Sequence, residues 1–288
     1  MVTNHTEHRL AIVGAGVMGT NITTLAVGFG VPVVLVDLNE EVLSRARKTI
    51  TQKLRHAQLM GALPQDRPQG ELVTSLSMTD VADATTVIEA VVEIPEAKAK
   101  VLAEASALVR PGTTLISNTS CISVDEMAAW VERGDELVGV HFMNPSYMIK
   151  MVEVIRGSGT SDATMESVNG LLTALGREAL VIKDSTGFVI NRLLHPLINT
   201  AAMLVQEGVA SVEVVDGLLE GCLGHSTGPL RTGDLIGLDN LVDSLNVLYE
   251  RRHDESCRPC ELLLSKVREG DLGRKTGRGF YDYGKVAT

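Results

Sequence analysis

The chain has 288 residues, 44% hydrophobic and 22% charged, with a formal net charge of −10. That length admits one large domain plus a smaller one. The acidic balance argues against general affinity for nucleic acid or an anionic membrane, both of which need a cationic face.

The start, MVTNHTEHRL, lacks a basic region followed by an apolar core, and no apolar run reaches the roughly 18 residues of a membrane helix. With only four cysteines, a reducing compartment fits, and a cytoplasmic protein is expected. Along the chain, RLAIVG reads as a strand, residues 17–29 as a helix, VPVVLVD as a strand and residues 39–60 as a helix. Further strands are expected at ATTVIEAVV, GTTLISN and ELVGVHF, with a helix at 96–109 between the first two. KMVEVI and EALVIK add strands around a helix at 162–175. Such alternation predicts a Rossmann-type, doubly wound, mostly parallel α/β sheet over residues 1–185. From about residue 186 the pattern turns helical. GFVINRLLHPLINTAAMLVQEG reads as one long helix kinked at Pro196, followed by helices at 211–221, 234–250 and 259–268. Residues 186–288 are therefore expected to form a smaller all-helical domain. CRPC (Cys257, Cys260) reads as packed thiols at a helix start. A metal or redox site is the alternative, but no second pair of ligands stands nearby.

GAGVMG places Gly14, Gly16 and Gly19 directly after a strand and at the mouth of a helix. Gly14 permits a tight turn, Gly16 lets the backbone approach a pyrophosphate, and Gly19 allows close helix–sheet packing. The helix start, with Val17 and Met18, offers backbone amides to the anion. Asp37 closes the next strand, where a carboxylate accepts ribose hydroxyls. Neither Leu38 nor Asn39 is cationic, which favours NAD over NADP. Flavin is the other cofactor reading.

A nicotinamide enzyme that oxidises an alcohol needs a base for the hydroxyl proton. Histidine suits because its unperturbed pKa of about 6.5 lies near working pH. In HFMNPSYMIKMVEVI, His141 ends one strand and Glu153 sits inside the next. Glu153 is positioned to fix the tautomer of the ring and stabilise its imidazolium. A satisfied core pair is the competing interpretation. Elsewhere, Ser117 and Ser123 read as loop or cap residues, His195 as a core histidine and His225 as a loop residue. Arg231 reads as a surface salt link, with anion binding as the alternative.

SNTS (117–120), HFMNP with KMVEVI, GFVINRLL, GPLRTGDLIGLD and LGRKTGRGFYDY occur in this order after GAGVMG. Together they resemble the L-3-hydroxyacyl-CoA dehydrogenase family along essentially the whole chain. The resemblance implies an enzyme that dimerises through its helical, substrate-side domain and oxidises 3-hydroxyacyl thioesters with NAD. It also implies that His141 is the catalytic base, Glu153 its orienting carboxylate and Ser120 a donor to the substrate oxygen. Asn191 would contact the polar end of the substrate, with Asn144 in the histidine loop beside it. Glu93 and Lys98 match cofactor-side positions. Serine and asparagine can donate to a developing oxyanion without contesting the proton that histidine takes.

Several positions depart from the family pattern. Met143, Ser146 and Tyr147 replace its usual Phe and Val-Pro, and Thr186 replaces a proline, which is expected to loosen the hinge. The helix after Asp37 carries Arg45, Arg47, Lys48, Lys53 and Arg55, then HAQLMGALPQ, where CoA-using members continue with lysines. CoA phosphates need cationic or amide partners. LMGALP, HFMNP, TGPLRTGDLIGLDN and RPCELL resemble a narrower branch that acts on acyl-carrier-protein thioesters in polyketide extender-unit biosynthesis. That resemblance implies oxidation of glyceryl-carrier protein to the 2-hydroxy-3-oxopropionyl thioester, a small polar acyl group suited to Ser146 and Tyr147. The alternative is a 3-hydroxybutyryl-CoA dehydrogenase. A β-hydroxyacid dehydrogenase would rely on a catalytic lysine instead, and a non-catalytic NADH-binding protein would leave the His141–Glu153 pair without a task.

Overall fold

The computed structural model describes residues 8–284, and the chain divides into two compact units after Ser185. In the first, strands and helices alternate: β1 (Leu10–Val13), α1 (Val17–Gly28), β2 (Val33–Val36), α2 (Glu40–Leu59), β3 (Leu72–Ser75), β4 (Thr86–Glu89), α3 (Pro95–Leu108) and β5 (Thr114–Ser117). There follow α4 (Val124–Ala128), β6 (Leu137–His141), β7 (Met151–Arg156), α5 (Asp162–Ala174) and β8 (Glu178–Lys183). The strands form one sheet in the order β3-β2-β1-β4-β5-β6-β7-β8. Every neighbouring pair is parallel except β6 and β7. The mostly parallel, doubly wound sheet is thus as expected.

Strands β1, β4, β5 and β6 are buried along their whole length. That is why they read as continuous apolar runs rather than alternating ones. Helix α2 starts on Asn39, whose Oδ1 accepts from Glu41 N at 2.8 Å, with Glu40 and Glu41 at the positive end of the helix dipole. Its Leu43, Ala46, Ile50, Leu54 and Ala57 recur at three- and four-residue intervals and are buried, which seats the helix on the sheet. The strand order reverses between β1 and β4, and ligands bind outside the carboxyl ends of strands at such a switch point.

The second unit contains α6 (Ile190–Gln206), α7 (Val212–Leu223), α8 (Pro229–Ile236), α9 (Leu238–Arg252) and α10 (Glu261–Glu269). Its core includes Ile198, Leu230, Leu241, Leu245 and Leu263, together with Cys257 and Cys260. Both cysteines are therefore packed thiols, with Cys260 at the N-cap position of α10. No helix among the described residues is long and apolar enough to cross a membrane.

Four expectations need correction. Strand β3 was not anticipated. The single helix over 234–250 is two, α8 and α9, separated by Gly237 at φ +98°, where a side chain would be strained. The long helix begins at Ile190 rather than Gly187, because Gly187 and Phe188 adopt positive φ. The segment after α10 is not helical throughout, since isolated bridges pair Gly273 with Arg278 and Arg278 with Asp282.

Candidate active site

The glycine turn stands at the carboxyl end of β1. Gly14 has φ +103°, and a Cβ there would lie 2.6 Å from the carbonyl oxygen of Ala90, which follows β4. At Gly19 a Cβ would lie 1.8 Å from the carbonyl oxygen of Gly14, so the first turn of α1 packs directly on the loop. Gly16 is different: it is exposed, and nothing lies within 4 Å of where its Cβ would be. That open cradle, with no side chain capping α1 and with Val17 exposed beside Met18, leaves room for a pyrophosphate to approach backbone amides.

Asp37, just past β2, accepts from Ala15 N at 2.8 Å through Oδ2 and from Asn39 N at 3.2 Å through Oδ1. Each carboxylate oxygen keeps a further lone pair, so the residue can hold a ribose diol while bracing the glycine turn. Leu38 is 89% exposed and uncharged, and Asn39 is engaged in capping α2. A 2′-phosphate would therefore meet the Asp37 carboxylate, and neither Leu38 nor Asn39 offers it a cation. The residues present fit NAD.

Glu89, the last residue of β4, is fully buried. Lys98 Nζ donates to its two carboxylate oxygens at 2.8 and 3.0 Å, and Ser117 Oγ donates to Oε2 at 2.6 Å. Lys98 is 1% exposed and also reaches Glu93 Oε2 at 3.1 Å. Its ammonium is thus shared between Glu89 and Glu93 and shielded from solvent. Glu93 Oε1 accepts from the Thr119 hydroxyl and from Ser120 N at 2.8 Å and Cys121 N at 3.2 Å. An ion-pair network therefore holds the loop that carries Ser120. Glu89 was not anticipated, and Ser117 is a strand residue bonded to it rather than a loop or cap residue. The signal for Glu89 was a lone carboxylate in the apolar run TVIEAVV.

His141 ends β6 and pairs in register with Glu153 of antiparallel β7. Its Nδ1 lies 2.8 Å from Glu153 Oε2, and its Nε2 lies 3.3 Å from Ser120 Oγ. His141 and Glu153 are 7% and 4% exposed. A carboxylate only accepts, so Nδ1 carries the proton and Nε2 turns its lone pair toward Ser120. This arrangement can take a proton from a hydroxyl placed beside Ser120 Oγ.

The loop after His141 is held at several points. Phe142 N donates to Asn118 Oδ1 at 3.1 Å, Asn144 Oδ1 accepts from Asn21 Nδ2 at 2.7 Å, and the Asn144–Pro145 peptide is cis. Ser146 and Tyr147, expected to suit a polar acyl group, are 1% and 7% exposed, and Tyr147 packs in the main core. They shape the loop from within. Arg177 donates from Nη2 to the carbonyl oxygen of Tyr147 at 3.2 Å and stands 5.5 Å from the Phe29 ring centre. Burial lowers its pKa to about 10.

Asn191 belongs to the second unit, in the first turn of α6, and is 7% exposed. His195 is buried there with Nδ1 2.8 Å from Ser244 Oγ, a satisfied core histidine. His225 is an exposed loop residue. Arg231 stacks 4.0 Å over the Tyr281 ring instead of forming the expected salt link. Ser123 caps α4, accepting from Glu126 N, and donates to Asp184. Among the described residues no cluster of His, Cys, Asp and Glu could hold a metal.

A dinucleotide cradle built in this way, on this sheet, fits a nicotinamide dinucleotide. The family model described as 3-hydroxyacyl-CoA dehydrogenase, NAD binding domain, matches residues 9–185, and the C-terminal domain model of the same enzymes matches residues 187–283. The chain therefore belongs to the 3-hydroxyacyl-CoA dehydrogenase family, and its cofactor is NAD. It is 37% identical to the 3-hydroxybutyryl-CoA dehydrogenase of Bradyrhizobium diazoefficiens over 278 residues, covering 96% of this chain and 95% of that protein. Among solved structures it is similar to M. tuberculosis FadB2, with a TM-score of 0.92 at 35% identity, covering 96% of this chain and 99% of that one. It is also similar to (S)-3-hydroxybutyryl-CoA dehydrogenase PaaH1 from Ralstonia eutropha, with a TM-score of 0.87 at 36% identity, covering 96% and 99%.

Proposed function

We propose that the protein oxidises the 3-hydroxyl of a short 3-hydroxyacyl-CoA, of which 3-hydroxybutyryl-CoA is the type named for its relatives. The observation that carries this reading is the imidazole held between Glu153 and Ser120 at the carboxyl edge of the sheet. His141 takes the hydroxyl proton at Nε2. Glu153 keeps the ring in the required tautomer and offsets the positive charge that the ring acquires. Ser120 Oγ holds the substrate oxygen, and Asn191 is assigned to the polar end of the acyl group by its match to the family pattern. Glu93, braced by Lys98, keeps the Ser120 backbone in place. NAD, when bound on Gly14, Gly16, Val17, Met18, Gly19 and Asp37, supplies the hydride acceptor. A homodimer formed through the helical unit accompanies this reading, supported by Val214 and Leu218, which are half exposed and one turn apart on α7.

A second reading, a carrier-protein thioester such as glyceryl-carrier protein, is favoured by one observation. Leu59 and Met60, at the end of α2, are 85% and 59% exposed and bring no charge to a CoA phosphate. Matched CoA and carrier-protein thioesters, each assayed with NAD for kcat/KM, separate the two readings. Higher kcat/KM with 3-hydroxybutyryl-CoA is the expected result. Preference for the carrier-bound substrate would replace it with the second reading.

A further inference from the structure

Lys53, on α2, is partly buried, and burial pushes its pKa below the ordinary lysine range. Among the described residues it forms no ion pair. Its Nζ instead donates to Asn21 Oδ1 at 2.5 Å. Asn21, on α1, is 1% exposed, and its Nδ2 donates to Asn144 Oδ1 at 2.7 Å. An ammonium that loses water and gains one amide oxygen is a poor exchange for packing alone, which an apolar side chain of similar length would serve better.

What the ammonium does supply is direction. The two ends of an asparagine amide are nearly the same shape, and either can face a neighbour. A lysine has only donors, so Asn21 must turn its oxygen to Lys53 and its NH2 to Asn144. Asn144 must then meet that NH2 with its own oxygen. Its Nδ2 is left on the other side of the amide, in an exposed residue of the loop that follows His141.

We propose that Lys53 and Asn21 are positioning residues that fix the polarity of the Asn144 amide, so that the loop beside His141 offers an N–H donor to a carbonyl oxygen of a bound ligand. This rests on the reading of Asn144 as a site residue. The carbonyl belongs either to the acyl thioester or to the carboxamide of the cofactor. Either would be repelled if the amide were reversed.

Asn21→Asp tests the relay. The new carboxylate keeps Lys53 and has only acceptors, so Asn144 must turn its NH2 inward and its oxygen outward. The KM for the thioester that the enzyme turns over, or the Kd for NADH, should rise roughly 10- to 100-fold, with kcat at saturation less affected and the melting temperature near wild type. Whichever constant moves identifies the ligand. Lys53→Arg, also donor-only, should stay close to wild type, whereas Lys53→Met should weaken the same constant. If Asn144→Ala is impaired while Asn21→Asp is normal, the relay is wrong and the site reading stands. If Asn144→Ala behaves as wild type, the site reading fails and takes the relay with it. Should Asn21→Asp not fold, equal constants for Lys53→Met and Lys53→Arg overturn the proposal.

Discussion

The Nδ1 atom of His141 lies 2.8 Å from Glu153 Oε2 because the two residues are direct partners across the antiparallel strands β6 and β7. Side chains opposite one another on such a pair share a face at close range, so the backbone register itself delivers the carboxylate to the ring. The return of β7 also brings Glu153 to the same edge of the sheet as the parallel strand ends that surround the cofactor cradle.

Glu153→Gln should lower kcat by up to about 10⁴-fold, the loss found when the carboxylate that orients a triad histidine becomes an amide. Glutamine can donate to Nδ1, which moves the ring proton to Nε2, where the lone pair is needed. Steady-state rates alongside NADH binding check this. Binding should be near normal, and rates within a few-fold of wild type would show that Glu153 does not steer the ring.

Lys98→Met should destabilise the first unit by about 3–5 kcal/mol, the usual cost of stranding one member of a buried pair. Glu89 would remain fully buried with Ser117 Oγ and Val91 N as donors but no cation. Urea unfolding measures it, and Glu89→Gln added to Lys98→Met should recover much of the loss. A single-variant loss under about 1 kcal/mol, the scale of an exposed pair, would contradict the account.

Much of the fold was legible because long apolar periodicities dominate it. β1, β4, β5 and β6 are buried runs, and α2 shows its face every third or fourth residue. What escaped is short or depends on one backbone angle. β3 is LVTS, with no fully buried residue, so its sequence carries no strand period. The break between α8 and α9 is one glycine in a helical pattern. In the site, Glu153 stands out because its strand follows directly on the one that ends at His141. Glu89 and Ser117 meet only when β4 and β5 pair, and nothing local distinguishes Lys53 from the solvated cations of α2. The stacking of Arg231 is not legible locally, because its partner, Tyr281, is far away in sequence.

Tyr281 predicts an alkaline weakness in the second unit. Its hydroxyl donates to Asp216 Oδ2 at 2.8 Å, and burial together with that carboxylate raises its pKa well above the ordinary 10.0. A raised folded pKa contributes stability that is present below pH 10, where the unfolded phenol ionises, and that is lost as pH rises toward the folded value. Arg177, in the first unit, runs the opposite way, because its lowered pKa penalises the fold below about pH 10 and relents above it. Melting curves from pH 8 to 11 should show Tyr281→Phe less stable than wild type at pH 8 and the gap closing above pH 10. A constant gap would mean that the phenol proton is not linked to folding.

The most direct test replaces the proposed base. In His141→Gln, kcat with NAD and the 3-hydroxyacyl thioester should fall about 100-fold or more, while NADH affinity and melting temperature stay near wild type. Turnover close to wild type would contradict proton abstraction by His141 and, with it, the proposed chemistry of the site.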